Sequence, residues 1–486
     1  MPPEGADGGG SPRPSPSWIP PRALLALLCA LELFVYMDRG AFASNGINDQ
    51  MARALGLSNT EDGALQTAFI VGLLLASPVF AQFASAASSP SADAGLPSPF
   101  RLIGVGQGIW VLSMLASSTA QGAWSMAAAR AFIGVGEASF CSIAPVFIYD
   151  FAPEGRAGLW LAIYYTFLPL GFAVGYGYGG LMSSLGCTWR FAFVVEACIM
   201  APFVLFFLLA PPVKLKAKDH EEAAPAAAAG AAGPAALRAL ASMFRSGWMC
   251  LCRVQYCLLM VASTAYTFVI GALAFWGPKA GKETFDLHST TTDSAFAVMA
   301  ALAGVFGTLS SGAAMYKIQS RRSAAAETFL FMGAAMVAGM GFLLFAMTVP
   351  DFHVFLVFMG LSMFCLFLTQ APTYSMSMQV VPPSLRSMAC ALCTVAVHVF
   401  GDGPSPFLVG LLQDRIDNWR ITLSLTSLVL VPGFLTLFVG GVRCRLMPAH
   451  ADDGADGRAA GNEEEPLLGG DARASGEPYD GGDKFA

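Results

Sequence analysis

Four residues in this sequence have types and positions suited to moving charge: Asp38, Arg39, Arg130 and Glu137. All four lie inside long apolar stretches. Asp38 and Arg39 belong to LELFVYMDRGAFASNG, and Arg130 and Glu137 to RAFIGVGEASFCSIAPVFIYDFAP. An ionisable side chain at the centre of a bilayer costs about 2.5–3.5 kcal/mol on insertion scales, so a partner or a water-filled path has to hold it there. Arg130 and Glu137 are seven residues apart. On a helix they return to nearly the same face, about 10 Å from each other along the axis. Asp38 and Arg39 are adjacent, diverge by about 100°, and do not pair well with each other. Asp38 is therefore expected to meet Arg130 across a central cavity, with Glu137 two turns away. Desolvation and a nearby guanidinium act on a carboxylate's protonation in opposite senses, so a small change in geometry or water access can switch it. That is the chemistry of proton coupling. The alternative is a structural ion pair, with Glu137 reaching a buried hydroxyl such as Ser139 or Tyr164.

These residues need a membrane scaffold, and the composition supplies one. The 486 residues are 55% hydrophobic and 12% charged, with a mean hydropathy of +0.59. A soluble domain carries about 25% charged residues, twice this share. About 20 apolar residues span a bilayer. On that rule six spans are expected at 20–46, 62–84, 100–120, 123–150, 157–181 and 189–211. Six more follow at 254–278, 293–316, 326–349, 352–378, 387–412 and 420–443. The expected fold is an all-α membrane protein, twelve transmembrane helices in two six-helix pseudo-symmetric halves.

Five regions follow from this: a disordered N-terminus over 1–19, a six-helix bundle over 20–211, and a polar central loop over 212–253. A second bundle covers 254–445, and an acidic, disordered tail covers 446–486. Glu4, Asp7 and the lack of a small-residue cleavage site argue against a signal peptide. With both termini on one side, 19 of the 27 lysines and arginines fall there and six fall opposite. The positive-inside rule then makes both ends cytosolic. The halves also repeat. Ala144-Pro145 precedes Pro153 and Arg156, and Ala371-Pro372 precedes Pro383 and Arg386, each order at the junction of the fourth and fifth span of its half. Two such halves joined by a polar loop are the plan of the major facilitator superfamily.

Other charges offer weaker chemistry. Glu32 lies in the cytosolic half of the first span, and Glu196 is placed near the outer surface, where it would be interfacial. His398 and Asp402 in HVFGDGPSP are four apart, hence on one helix face, ahead of Pro404 and Pro406. Prolines there free backbone carbonyls that neighbours or water must satisfy. The segment reads as a gating element or as a packed kink. Lys317, Arg321 and Arg322 form a basic cluster that could also gate. The glycines of GVGQG and GVGE follow no strand, so a dinucleotide loop is excluded. Gly171, Gly175 and Gly179 instead permit close helix approach. The eleven cysteines lie mostly in apolar runs and lack zinc spacing, so no metal is expected. No basic block points to nucleic acid.

The segments YMDR, GVGEASFCSIAP, TFVIGALAFWGP and VVPPSLRSMACA…HVFGDGPSPFLVG resemble the spinster family of the major facilitator superfamily, over about residues 30–440. The resemblance implies transport of lysophospholipids or of sphingolipid-type lipids such as sphingosine-1-phosphate, coupled to protons in many members. It places the family's functional Asp, Arg and Glu on Asp38, Arg130 and Glu137, with Arg39 completing an Asp-Arg pair. One departure stands out. The family usually carries GDR and basic residues between the second and third spans, whereas here Ser85 and Ala86 occupy the Asp and Arg positions within FASAASSPSADAG. In the tail, Glu463 stands four residues before Leu467 and Leu468, a pattern similar to the acidic dileucine signal read by endolysosomal sorting adaptors.

The function expected is secondary active transport of amphipathic lipids by alternating access, with the proton as coupling ion and no other cofactor. The membrane expected is lysosomal, vacuolar or endosomal rather than the plasma membrane. A transporter of small organic anions and a non-transporting receptor or scaffold are the alternatives. No nucleophile-base pair points to an enzyme.

Overall fold

The computed structural model describes residues 18–88, 97–153, 156–211, 245–319, 321, 323–382 and 385–446. The N-terminal segment to residue 17, most of the central loop, the tail with Glu463, Leu467 and Leu468, and Arg322 lie outside the described residues. So do residues 89–96 and the side chains of Ser85 and Ala86, on which the expected departure from the family's loop rests.

The described residues form helices and no strands. The first group holds α1 (Pro21–Ala43), α2 (Asn45–Leu55), α3 (Asn59–Ser88), α4 (Pro99–Ser118), α5 (Ala123–Phe151), α6 (Ala157–Ser184) and α7 (Trp189–Leu209). A short helix over 245–251 (α8) leads into the second group. That group holds α9 (Val254–Phe285), α10 (Ser289–Gln319), α11 (Ala324–Thr348), α12 (Phe352–Phe367), α13 (Gln370–Gln379), α14 (Arg386–Ala396), a π-helix (Val397–Asp402), α15 (Ser405–Ile416), α16 (Trp419–Ser427) and α17 (Leu430–Leu446).

Among the described residues, eleven stretches are long and apolar enough to cross a membrane. That count falls one short of the twelve expected, and the missing stretch is α1. At 23 residues α1 is about 34 Å long, enough to cross, but Glu32, Asp38 and Arg39 interrupt its apolarity. Three spans are built from two helical pieces. The chain turns at Leu368 and Thr369 between α12 and α13, at the π-helix between α14 and α15, and at Leu428 and Val429 between α16 and α17.

Within the first group, α1 packs along α6, and α5 lies between α3 and α4. Glycine makes both crossings tight. A Cβ on Gly175 would strike the Met37 carbonyl and the Ala41 nitrogen of α1, and one on Gly40 would strike the Phe172 carbonyl of α6. The 171, 175 and 179 spacing is therefore a helix-contact stripe. The GVGE glycines work alike: Gly134 meets the backbone of Phe69 and Leu73 on α3, and Gly136 meets Gly106 and Trp110 on α4.

The last span of each group opens with the same device. Thr188 caps α7 by accepting the Phe191 N–H at 3.3 Å, and Asn418 caps α16 by accepting the N–H groups of Arg420 and Ile421. Arg190 donates to the carbonyls of Ser118, which ends α4, and Ala120, just beyond it, at 2.7 and 2.8 Å, and Arg420 donates to the Met347 carbonyl in α11 at 2.6 Å. Each arginine satisfies carbonyls that a helix end leaves open and complements the negative end of its dipole.

The groups are tied together at the end opposite the chain termini. Asp293 of α10 accepts the N–H of Asn45, its side-chain amide and the N–H of Gly46, at 2.9, 2.9 and 2.8 Å. Asp414 of α15 accepts from Asn59 and Thr60, through backbone and side chain, at 2.6–3.1 Å. Each carboxylate of the second group thus holds a helix N-terminus of the first, where N–H groups lack intrahelical partners. Lys279 donates to the side chain of Asn59 at 2.8 Å, and Lys282 pairs with Asp49.

Candidate functional site

The charged residues gather inside the first group, between α1 and α5. Asp38, Arg130 and Glu137 are 0% exposed and Arg39 is 6% exposed. Nη1 of Arg130 donates to both oxygens of Asp38 at 3.0 Å, and Nη2 approaches Oε1 of Gln66 at 3.4 Å. Arg39 pairs with Glu137 through Nη2 and Oε1. The Cys141 thiol lies 3.7 Å from the same Glu137 oxygen. Adjacent residues of α1 thus send their side chains to two levels of α5, as the 100° divergence requires.

The four buried charges neutralise one another in pairs, and aromatic rings cover the two guanidiniums. The Phe69 ring lies 4.6 Å from the Arg39 guanidinium and 5.2 Å from that of Arg130. Tyr36 covers Arg39 at 4.5 Å, and Phe42 covers Arg130 at 4.0 Å. Rings over guanidiniums repay part of their desolvation. Glu137 also meets neither Ser139 nor Tyr164. Ser139 donates to the Gly136 carbonyl, and the Tyr164 hydroxyl donates to Glu32 at 2.8 Å.

The pairs leave several buried atoms without a hydrogen bond to the described residues: Nε of Arg39, Nε of Arg130 and Oε2 of Glu137. They are two unused donors and one unused acceptor within the paired charges. Buried polar groups otherwise find partners almost without exception.

Glu32 and Glu196 are each 2% exposed. Glu196 is therefore buried among the helices rather than exposed on them. It lies in the third turn of α7, whose start Arg190 ties to the end of α4, and its two oxygens have no hydrogen bond to the described residues. Glu32 accepts the hydroxyl of Tyr164 on α6.

His398 and Asp402 pair across the second group's break, Nδ1 lying 2.9 and 3.1 Å from the two oxygens. The spacing of four predicted one helix face. The backbone between them is instead a π-helix, broken at Gly401, where φ is −102° and ψ is −105°. The break falls at Gly401, ahead of Pro404 and Pro406. The Gly403 carbonyl left open accepts the Thr67 hydroxyl of α3 at 2.7 Å, so the neighbouring group satisfies it. His398 also lies within electrostatic reach of Arg39 and Glu137. Of the basic cluster, Arg321 pairs with Glu327 at 2.9 Å on the surface, and Lys317 ends α10. The structure does not bring these two to the buried charges.

Sequence reasoning missed Gln66, Phe69 and the Glu32–Tyr164 pair. Gln66 is an amide inside an apolar span, a signal that was open to notice. The aromatic partners carry no such mark among so many. All eleven cysteines are free thiols, and among the described residues no three His, Cys, Asp or Glu side chains gather as a metal site.

Residues 28–401 match the Major Facilitator Superfamily. The chain is 35% identical to the probable sphingolipid transporter spinster homolog 2 of Arabidopsis thaliana, over 90% of each chain. It is 33% identical to the probable sphingolipid transporter spinster homolog 3 of the same plant, over 88% of this chain and 85% of that one. The fold superposes on the crystal structure of a bacterial homolog to the human lysosomal transporter Spinster, in an inward-facing and unoccupied conformation. That match has a TM-score of 0.71 at 16% identity, over 87% of this chain and 97% of the other. With its two groups of membrane-length helices, this chain is a multi-pass membrane transporter and belongs to the spinster family of the major facilitator superfamily.

Proposed function

We propose that the protein moves lysophospholipid or sphingolipid-type lipids across its membrane by alternating access, with protons as the coupling ion. The observation that carries this reading is the double ion pair, Asp38 with Arg130 and Arg39 with Glu137, buried in helices of a membrane transporter. Charges at that depth are held for function more often than for stability. The names of the two plant relatives support a sphingolipid-type substrate. α1 serves as the twelfth span, and its charges are the reason it lacks the apolarity of the other eleven.

Each part has a role in this reading. A proton reaching Glu137 releases Arg39, whose guanidinium can then receive an anionic head group. The bond from Arg130 to Asp38 holds the neighbouring level of α1 in place. His398, within reach of Arg39 and Glu137, reports the state of the pair to the second group through the π-helix. The halves then rock about this region, while Asp293 and Asp414 release or regain the helix ends they hold. Lys317, Arg321 and Arg322 act at the opposite gate. Both termini face the cytosol, and the tail's Glu463, Leu467 and Leu468 address the protein to an endolysosomal membrane through sorting adaptors.

The test is uptake into proteoliposomes of a panel of lysophospholipids and sphingoid phosphates, with and without a pH gradient. Uptake driven by the gradient and competed by lysolipid is expected. Competition by small carboxylates or sulfate instead would make the protein an organic-anion transporter. Glu137→Gln is expected to express normally and lose the pH-driven component. Retention of that component removes Glu137 from the mechanism.

A further inference from the structure

The interior of the first group holds more acids than bases. Among the described residues six of its carboxyl groups are buried: Glu32, Asp38, Glu137 and Glu196 share the middle with two guanidiniums, Arg39 and Arg130, all of these 0–6% exposed, while Asp62 and Asp150 lie in the first turn of α3 and the last turn of α5. Asp38 and Glu137 each hold an arginine. Among the described residues, Glu32 and Glu196 hold none: Glu32 accepts the Tyr164 hydroxyl, and Glu196 accepts nothing.

The order of these groups follows from the helices. Glu32 is six residues before Asp38 on α1, about 9 Å toward the end that carries the chain termini. Glu196 approaches from the other end, seven residues into a helix that starts there. Glu32 lies within electrostatic reach of Glu137 and Arg39, and Glu196 within reach of Asp38 and Arg130. The acids thus form a ladder: Glu32, Glu137, Asp38, Glu196. The paired acids are its middle rungs and the unpaired acids its ends.

A buried carboxylate without a counter-charge is strongly disfavoured. A proton on each of Glu32 and Glu196 removes that cost, and it is a charge the group can later hand on. Sealed behind 2% exposure, each admits only the smallest cation without opening the helices. We infer that Glu32 and Glu196 are proton-carrying residues, handing protons to and from the two ion pairs, Glu32 at the terminus-bearing end and Glu196 at the opposite end. In each transfer one carboxyl loses a proton and the next gains it, while both guanidiniums keep their charge. A proton leaving Glu32 for Glu137 frees Arg39. One leaving Glu196 for Asp38 frees Arg130. The inference rests on the proton-coupled reading above.

The groups facing each end are few. Cys29, Tyr36 and Arg39 of α1, Glu137 and Cys141 of α5, and Tyr164 and Tyr165 of α6 surround Glu32. Asp38 of α1, Arg130 of α5 and Tyr178 of α6 lie within electrostatic reach of Glu196, and α4 contains no titratable residue except the distant Arg101. From the second group, His398 lies within electrostatic reach of Arg39 and Glu137 in the middle of the ladder. Among the described residues, the Tyr164 hydroxyl is the one side-chain group hydrogen-bonded to an end rung.

Infrared difference spectra of the full-length protein in nanodiscs, recorded across a pH jump, test this without any lipid substrate. The wild type is expected to show neutral-carboxyl bands, with one lost in Glu32→Gln and another in Glu196→Gln. Glu32→Asp and Glu196→Asp keep an acid, so each should move its band rather than delete it. That separates proton carriage from a folding defect. Bands unchanged in both glutamine variants would overturn the ladder and leave lipid uptake by the wild type untouched. Absence of gradient-driven uptake of a fluorescent lysophospholipid by the wild type would instead overturn the coupled-transport reading.

Discussion

Replacing Asp293 with Asn should loosen the tie between the helix groups by a calculable amount. The Asp293 carboxylate is fully buried, with Oδ1 holding the Asn45 N–H and side-chain amide and Oδ2 holding the Gly46 N–H. Asparagine fits the same space and keeps the Oδ1 bonds. Its amide then faces the Gly46 N–H, donor against donor, and the charge at the α2 N-terminus is gone. A hydrogen bond to a charged group contributes about 1.5–3 kcal/mol. At about 1.4 kcal/mol per tenfold change, the open population should rise roughly tenfold to hundredfold. Hydrogen–deuterium exchange of the peptide covering residues 44–56 reads this directly, since amides exchange through opening. The Asn45 and Gly46 amides should exchange faster by that factor, and residues 324–348 of α11, remote from the tie, should not change. Unaltered exchange at Asn45 and Gly46 would refute the claim that this carboxylate holds the two groups together.

Asp38→Asn strands the Arg130 guanidinium at 0% exposure, so unfolding in detergent should come about 3–5 kcal/mol easier, seen as a lower melting temperature. The double variant Asp38→Asn with Arg130→Gln should recover part of that loss. Gly175→Val drives a side chain into the α1 backbone and should lower the yield of monodisperse protein, an overpacking cost of about 1–3 kcal/mol or more. Gly177→Val is the control, because an added Cβ there meets only Ala297 at 3.9 Å.

The sequence makes the scaffold legible and the site only partly so. Apolar length alone placed the spans, because a bilayer accepts little else. Helical geometry placed Asp38 against Arg130. It could not place Arg39, because its partner depends on how far a long side chain reaches along α5. Glu196 was read as interfacial from its nearness to the start of a span. Its burial among the helices, and the Arg190 bonds that tie the start of α7 to the carbonyls of Ser118 and Ala120, are tertiary facts. The Trp189-Arg190 and Trp419-Arg420 pairs recur in the two groups and were visible, yet only the structure gives them a common task. At His398 and Asp402, spacing gave the right partners and the wrong helix, since a π-turn with Gly401 outside helical geometry is not encoded in periodicity.

Phe69 has a consequence for how changes in this protein combine. One ring lies against two guanidiniums that belong to different helices and different ion pairs. Any shift of the ring toward one arginine withdraws it from the other. Substitutions at Arg39 and Arg130 therefore do not add, although each arginine has its own acid partner. The effect of altering one will be set by what occupies the other, and both will be reset by a change at position 69. Inheritance at these three positions is thus a joint matter, and a residue with no charge arbitrates between the two that have it.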